Sequence, residues 1–362
     1  MNECGLIRAH FLDSKGNKDD KGQLLAKMLT YILKRIVYSI FPLLGVSVIG
    51  FVLFRVMPGD PALLLVGVGA TQADIDKMRA ALGENLPIYQ QYLIWLKDML
   101  SGNFGTSIYY NQPVTQVILQ KLPATLELIA AAVVIALLLG VGIGVFSAIR
   151  ENTKGDTIAR SFSYVAFGIP DFVWGLIFIL VFGALLKVLP VSGRIDPFIN
   201  LHQVTGFMLI DSIITGNPAA FFSALQHLIL PALALALVLT AVIQRTIRSS
   251  LIDVLGEDYI VTDRMKGLSE SQIVFVRALK NAMIPTLTIL GVQFTFLMGG
   301  SIVIELIFGW PGIGNMIFTA ISYKDLPLVQ GVVMFYAFVV VIVNLIVDLL
   351  YSYLNPKIRY GR

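Results

Sequence analysis

The chain is poor in the residues that carry most protein chemistry. Its single cysteine, Cys4, excludes an internal disulfide, and its three scattered histidines, His10, His202 and His227, show no metal-ligand spacing. Charged residues are 14% of the sequence, against about 25% in soluble domains. There is no G-x-x-x-x-G-K-S/T stretch, so any nucleotide this protein uses is bound by another chain. Nor does a serine–histidine pair, a pair of aspartates or a histidine-rich metal motif fall on facing apolar segments, which argues against an intramembrane protease. A net charge of only +4 gives no reason to expect nucleic acid as a partner.

What is abundant is apolar sequence. Hydrophobic residues make up 56% of the 362 positions and mean hydropathy is +0.79, so lipid is the solvent this chain is built for. Apolar runs of bilayer length lie near 32–57, 123–149, 162–185, 228–243, 286–304 and 329–350. Gly140, Gly142 and Gly144 fall within the second run without a flanking strand, which suits close helix packing rather than a nucleotide fingerprint. In the third run Gly168-Ile169-Pro170 predicts a kink, because proline removes a backbone donor and crowds the preceding turn.

Most of the 27 lysines and arginines fall in segments that alternation places on one side: before the first run, at 150–160, from Arg245 to Lys280, and after residue 355. Read with the positive-inside tendency, this gives six spans with both termini cytoplasmic. The expected divisions are a polar, disordered 1–30, a first transmembrane helix at 31–58, an external domain at 59–122, a five-helix core at 123–355 and a tail at 356–362. In the external part, Thr71 is placed to cap a short helix carrying Ile75, Met78 and Leu82, and Gly83 to end it. Tyr92, Trp95, Leu96 and Met99 share one face of a second helix.

The most informative stretch is the polar island EDYIVTDRMKGLSESQIVFVRALKNAMIP, Glu257 to Pro285, between two apolar runs. Its cation excess, Arg264, Lys266, Arg277 and Lys280, places it inside the cell. The residue order predicts two short helices, about 253–265 and 270–281, meeting at Gly267, which takes a positive φ that other residues resist. Ser269 is the expected cap of the second. That second helix is expected to bury Ile273, Val276 and Leu279, and Pro285 to mark the start of the next span.

Several of these stretches together resemble one family. The Arg55-Val56-Met57-Pro58-Gly59-Asp60-Pro61 run after the first span, the Gly102-Asn103-Phe104-Gly105-Thr106-Ser107 turn, Leu189-Pro190-Val191-Ser192-Gly193, and the island's Glu257-Asp258-Tyr259, Lys266-Gly267-Leu268-Ser269, Asn281-Ala282 and Ile284-Pro285 carry the likeness. It is to the oligopeptide and dipeptide ABC importer permeases, specifically the first of the two permeases in such systems, and runs from about Met28 to Tyr360. Val261 and Asp263 depart from the Glu and Ala of the general loop motif. The resemblance implies an all-α integral membrane protein with six transmembrane helices in the type I importer permease fold. It further implies an external segment after the first helix and a cytoplasmic coupling loop at 247–284, which sits on a separate ATPase.

From the resemblance, the residues expected in the ATPase coupling surface are Glu257, Asp258, Tyr259, Arg264, Lys266, Gly267, Leu268, Ser269, Asn281 and Pro285. It implies no catalytic residue, metal or cofactor on this chain, with ATP and Mg bound by two partner ATPase subunits. The other implied partners are a homologous second permease, an external solute-binding protein, a peptide substrate and the bilayer. Nickel chelates or another small solute remain an alternative cargo within the family. An ion-coupled carrier working alone is a more distant one, and it would favour an internal repeat, which the sequence does not show.

Polar groups in or beside the spans mark the expected path, because they are costly in hydrocarbon and face protein or water. Glu127, Gln293, Gly299, Gly300, Ser301 and Glu305 are the candidates for a path or gate, and the fifth span supplies all but the first. For Glu127 and Glu305 two readings stand: contact with a peptide's amino terminus, or an interfacial and helix-dipole role. Asp171 and Asp348 are expected to be structural.

Overall fold

The structure is a computed structural model that describes residues 35, 37–52, 66, 71–81 and 86–354, with the side chains of 78, 81 and 347–354 left outside that description. The Arg55 to Pro61 run, the polar N-terminal residues and the tail after 354 lie outside the described residues. Among the described residues there is no strand, only an isolated bridge between Thr106 and Pro113.

Helix α1 (Val37–Val52) is apolar and, at its described length, shorter than a bilayer span. It is followed by α2 (Gln72–Ala81) and α3 (Ile88–Leu100). The Thr71 hydroxyl accepts from the Asp74 amide at 3.3 Å, so the expected cap of α2 is present. The expected face of α3 is also the one that packs: Phe51 of α1 sits 5.4 Å from the Tyr92 ring and 5.7 Å from that of Trp95. Tyr92 shares a hydrogen bond with Ser47 of α1 at 2.7 Å.

The long helices α4 (Val114–Ile149) and α8 (Pro218–Leu255) form the central pair. In α8, 61% of the apolar stretch is buried, against 39% in α4, so α8 is the axis about which the others pack. Gly140 and Gly144 permit the approach: a Cβ on either would lie within 3 Å of Ile243 or Ile247 of α8. Ala132 and Ala136 continue the same stripe of small buried residues along α4. Gly142 faces open space and takes no part in it.

Between them, α5 (Lys154–Gly168) and α6 (Asp171–Leu185) meet at an angle of 100°. The sequence predicts a kink here and the structure has a full break. Ile169, immediately before Pro170, is extended at φ −104 and ψ 126, as the pre-proline position favours, so the helix stops rather than bends. The second expected span also differs: Pro123 does not open α4 but lies ten residues inside it, and Pro113 occupies the cap position.

A short helix α7 (Met208–Ile214) precedes α8, and α9 (Asp258–Met265) follows it. Then come α10 (Glu270–Ile307), α11 (Ile313–Ser322) and α12 (Leu326–Leu354). Among the described residues four helices are long and apolar enough to cross a membrane, and five if the bent α5–α6 pair is counted as one span. Only 28% of the apolar stretch is buried in each of α10 and α12, which leaves wide apolar faces for lipid or a neighbouring membrane subunit.

Candidate functional site

The polar island forms a compact projection at the end of α8. Gly256 caps α8, and α9 begins two residues later. At the far end of α9, Gly267 adopts φ +79, its amide donates to the Arg264 carbonyl at 3.0 Å, and the Leu268 amide donates to the Asp263 carbonyl at 3.3 Å. These are the two bonds of a Schellman ending, which requires a left-handed residue at this position. A Cβ on Gly267 would meet nothing within 4 Å, so glycine is needed here for its backbone and not for space.

Ser269 then starts the next helix with a full capping box: its hydroxyl accepts from the Gln272 amide and the Gln272 side chain accepts from the Ser269 amide. The expected second short helix, however, is not separate. The rod α10 continues through Pro285 to Ile307, and residues Ile273–Ala278 are wound as a π segment. The wider turn changes which residues face inward, because each residue bonds five positions along instead of four. Ile273, Val274, Ala278 and Ala282 are buried, while Val276 of the expected face is exposed.

The other predicted coupling residues hold this projection together or decorate it. Ile260 is fully buried and roots α9 in the bundle core. The Asn281 amide donates to the Tyr259 hydroxyl at 2.9 Å, tying α9 to α10. Arg264 makes a two-pronged contact with Glu270, at 2.8 and 3.3 Å, and that bond holds its guanidinium pKa above the ordinary value. Asp263 turns inward toward Arg277 at 3.6 Å and Lys266 at 4.0 Å, so this departure from the motif serves an internal contact. Outward go Val261 and Met265, the latter 77% exposed, beside Glu257, Asp258 and Lys266, while Leu268 is half-buried and packs against the bundle core. Pro285 lies inside α10, remote from the turn along the chain.

At the opposite end of α10 the candidate gate residues divide. Gly300 lies against the carboxylate of Asp171 at the start of α6, close enough that a Cβ would collide with it. Ser301 is fully buried and donates to the Met298 carbonyl at 2.9 Å. Gly299 faces open space and Gln293 is half-buried, so neither joins that contact.

Glu127 and Glu305 are both occupied by the protein's own donors. Glu305 accepts from the Thr125 hydroxyl at 2.6 Å and from the amides of Gly314 and Asn315 at 2.6 and 3.1 Å, at the start of α11. Glu127 is paired with Arg194 in a bridge whose two side chains are 6% and 7% exposed, and it accepts from the Leu209 amide at 2.9 Å. Trp310 joins the two groups: its indole donates to the Ala124 carbonyl at 2.8 Å, and the Arg194 guanidinium lies over its ring at 5.5 Å. Both carboxylates are thus buried against the protein's own donors, Glu305 at the N-terminal end of α11.

Sequence reasoning passed over Arg194, which entered only as a charge count, and two further anchors. Asp325 caps α12 through the Leu328 amide at 3.2 Å and accepts from the Ser107 hydroxyl and the Tyr109 amide. An aspartate directly before an apolar run was the available signal. Asp156 of α5 receives both prongs of Arg248 of α8, at 2.8 and 2.9 Å. The Leu189 to Gly193 stretch also meets the turn after α10, where the Gly193 amide donates to the Phe308 carbonyl at 3.0 Å.

Comparison with known proteins agrees with this architecture. The family model for the binding-protein-dependent transport system inner membrane component matches residues 140–360, and its N-terminal companion matches 28–129. The di/tripeptide transport system permease protein of Pseudomonas aeruginosa is 40% identical over 340 residues, covering 92% of this chain and 100% of its own length. The oligopeptide transport system permease protein of Bacillus subtilis is 37% identical over 334 residues, with the same coverage of each. A chain of the MetNI methionine ABC transporter, solved in inward-facing conformations, aligns at a TM-score of 0.47 and 15% identity over 64% of this chain and 94% of its own. The chain therefore belongs to the family of binding-protein-dependent transport system inner membrane components, as a membrane permease of the type I ABC importer fold.

Proposed function

We propose that this permease carries short peptides, di- to oligopeptides, and forms one half of a translocation path whose other half is a second, homologous permease. The support for the cargo is that the similar full-length relatives are named for di/tripeptide and oligopeptide transport. The chain performs no catalysis itself. Two partner ATPase subunits bind ATP and Mg and hydrolyse the nucleotide, and an external solute-binding protein delivers the cargo. Both termini and the projection at 256–269 face the cytoplasm, while residues 86–113 and α11 face outside; the distribution of lysine and arginine supports that orientation.

The observation that carries the coupling role is the α9 projection. It is rooted by Ile260, closed by a Schellman ending and a capping box, and shows an exposed Met265 and Val261 ringed by Arg264, Lys266 and Asp258. A short, rigid knob with an apolar tip and a charged rim suits insertion into a cleft on an ATPase. The opposite end supplies a gate: Glu305, Thr125, Trp310 and Arg194 fasten α4, α10 and the start of α11 into a sealed layer. Movement of the ATPases shifts the population of this layer between closed and open through the continuous rod α10.

Reconstitution of the complete complex in vesicles tests this reading. Dipeptide added with the binding protein is expected to enter on ATP hydrolysis, and an ATPase is expected to co-purify with the chain. Purification without an ATPase, or uptake driven by an ion gradient without ATP, contradicts it.

A further inference from the structure

A polar cleft of about 190 Å³ opens between α5 and α8, near the end of the bundle that carries the projection. Arg248 lies ten residues before α9, about 15 Å along the helix. The cleft is lined by Arg160, Ser163, Gln244, Arg245, Arg248 and Ser249, with Tyr164 at its edge. Three guanidiniums therefore converge on one small space, at the end of the bundle where the cation-rich segments gather.

The partners within the protein do not suffice. Asp156 takes both prongs of Arg248 and also lies 3.5 Å from Arg160, and Glu151 approaches Arg248 at 3.9 Å. Two carboxylates thus serve three cations. Arg245 lies over the ring of Phe167 at 5.0 Å, with its charge not matched by either carboxylate in these contacts. The floor of the cleft has unmet hydrogen bonds as well. Ser163 is 6% exposed and Gln244 is 1% exposed. The Ser163 hydroxyl and the Gln244 amide oxygen are buried without a hydrogen-bond partner, and the Arg160 Nε has only the longer ion-pair contact to Asp156. Because the amide of Gln244 turns over at no cost in shape, the cleft can offer a hydroxyl, an amide NH2 and guanidinium NH groups to one acceptor. Unsatisfied buried polar groups beside a net positive space suit an anion with several acceptor oxygens.

The surroundings indicate where that anion comes from. The outer face of α5 beside the cleft is apolar and exposed at Ile158, Phe162 and Val165, and Tyr164 is 64% exposed at the rim. A phosphate held in the cleft would have hydrocarbon surface directly alongside it. We infer that the cleft between α5 and α8 is a site for a phosphate group, supplied by the headgroup of an anionic membrane lipid whose acyl chains lie along α5.

The site is placed to matter for transport, since it bridges the α5–α6 broken span to the helix that delivers the α9 projection. An occupied headgroup would neutralise the surplus charge and clamp α5 to α8.

Native mass spectrometry of the purified complex, released from nanodiscs containing equal phosphatidylglycerol and phosphatidylcholine, tests the inference. Wild type is expected to retain phosphatidylglycerol in preference to phosphatidylcholine. Arg245→Gln is expected to lower that retention at least fivefold, and Ser163→Ala, which removes only an unpartnered hydroxyl, about twofold. A remote charge change, Lys97→Gln on α3, is expected to leave it unaltered. Millimolar inorganic phosphate is expected not to displace the lipid. Equal retention in wild type and Arg245→Gln overturns the site. Occupation by inorganic phosphate without lipid preference overturns the lipid source. Should Arg245→Gln fail to assemble, unchanged retention in Ser163→Ala still decides against the proposal.

Discussion

The two ends of the helix bundle use charge in opposite ways. At the α9 projection the ion pair is exposed: Arg264 and Glu270 show 41% and 67% of their side chains to solvent. At the other end Arg194 and Glu127 show 7% and 6%. Exposed pairs are screened and add little to stability, so at the projection they shape a surface and leave backbone geometry to hold it. Buried pairs are held by their mutual contact, and losing one partner leaves a bare charge in a low dielectric. On the proposed coupling and gate roles, the first end would act as a stiff handle and the second as a latch whose closed form depends on every member staying engaged.

That contrast predicts a ranking of mutational effects. Arg194→Leu should be the most damaging, costing about 3–5 kcal/mol because Glu127 is left buried and unpaired; thermal unfolding of the detergent-solubilised complex reads the loss, and small-dye leakage from vesicles reads the opened layer. The double variant Arg194→Leu with Glu127→Leu should recover part of it, and no recovery would argue against a paired latch.

Next comes the seam that lets α4 approach α8. Gly140→Leu places atoms where Ile243 already lies, so overpacking by about 1–3 kcal/mol is expected. Gly142→Leu, on an open face, should be tolerated in the same unfolding measurement. Similar losses in both variants would remove the seam from the account.

At the handle the effects should be smaller on stability and larger on coupling. Gly267→Val forces a β-branched residue to a positive φ, costing about 1–2 kcal/mol locally, and Ser269→Ala removes the cap of α10 for about 1 kcal/mol. Hydrogen exchange across 256–275 checks both, with faster exchange expected in each variant.

The smallest effect concerns acid. Burial, the largest influence on Asp211, raises its pKa, but the hydroxyl of Thr205 and the amides of Thr205, Gly206 and Val204 together bring it below the ordinary carboxylate value. A lowered folded pKa means the stabilisation is present above the unfolded value of about 3.9 and is lost as pH falls through the folded one. The 205–217 segment should therefore loosen only below about pH 4, and Asp211→Asn should abolish that acid dependence in hydrogen exchange.

These outcomes also show which features a sequence carries openly. Gly267 and Ser269 were legible because a left-handed turn and a helix cap each depend on one residue type at one place. The small-residue seam was legible at Gly140 and Gly144 for the same reason, though Gly142 looked identical and faces outward. The phase of α10 was not, since nothing local announces that 273–278 will wind as a π segment and bring Val274 inward in place of Val276. Prolines misled in both directions: Pro123 and Pro285 lie within continuous helices, where packing overrides the local penalty, while Pro170 breaks one outright. The Arg194, Glu127 and Trp310 group was illegible because its members, distant in sequence, meet only when α4 packs on the loops before α7 and α11.

The central claim, that the α9 handle drives the distant latch, is tested most directly by the ratio of peptide taken up to ATP hydrolysed in vesicles carrying the Gly267→Val complex. If the handle must be rigid to transmit motion, ATP hydrolysis should persist while uptake per ATP falls at least tenfold and the latch stays closed to dye. A ratio equal to that of wild type, in a variant shown by hydrogen exchange to have lost the turn at Gly267, would contradict the account.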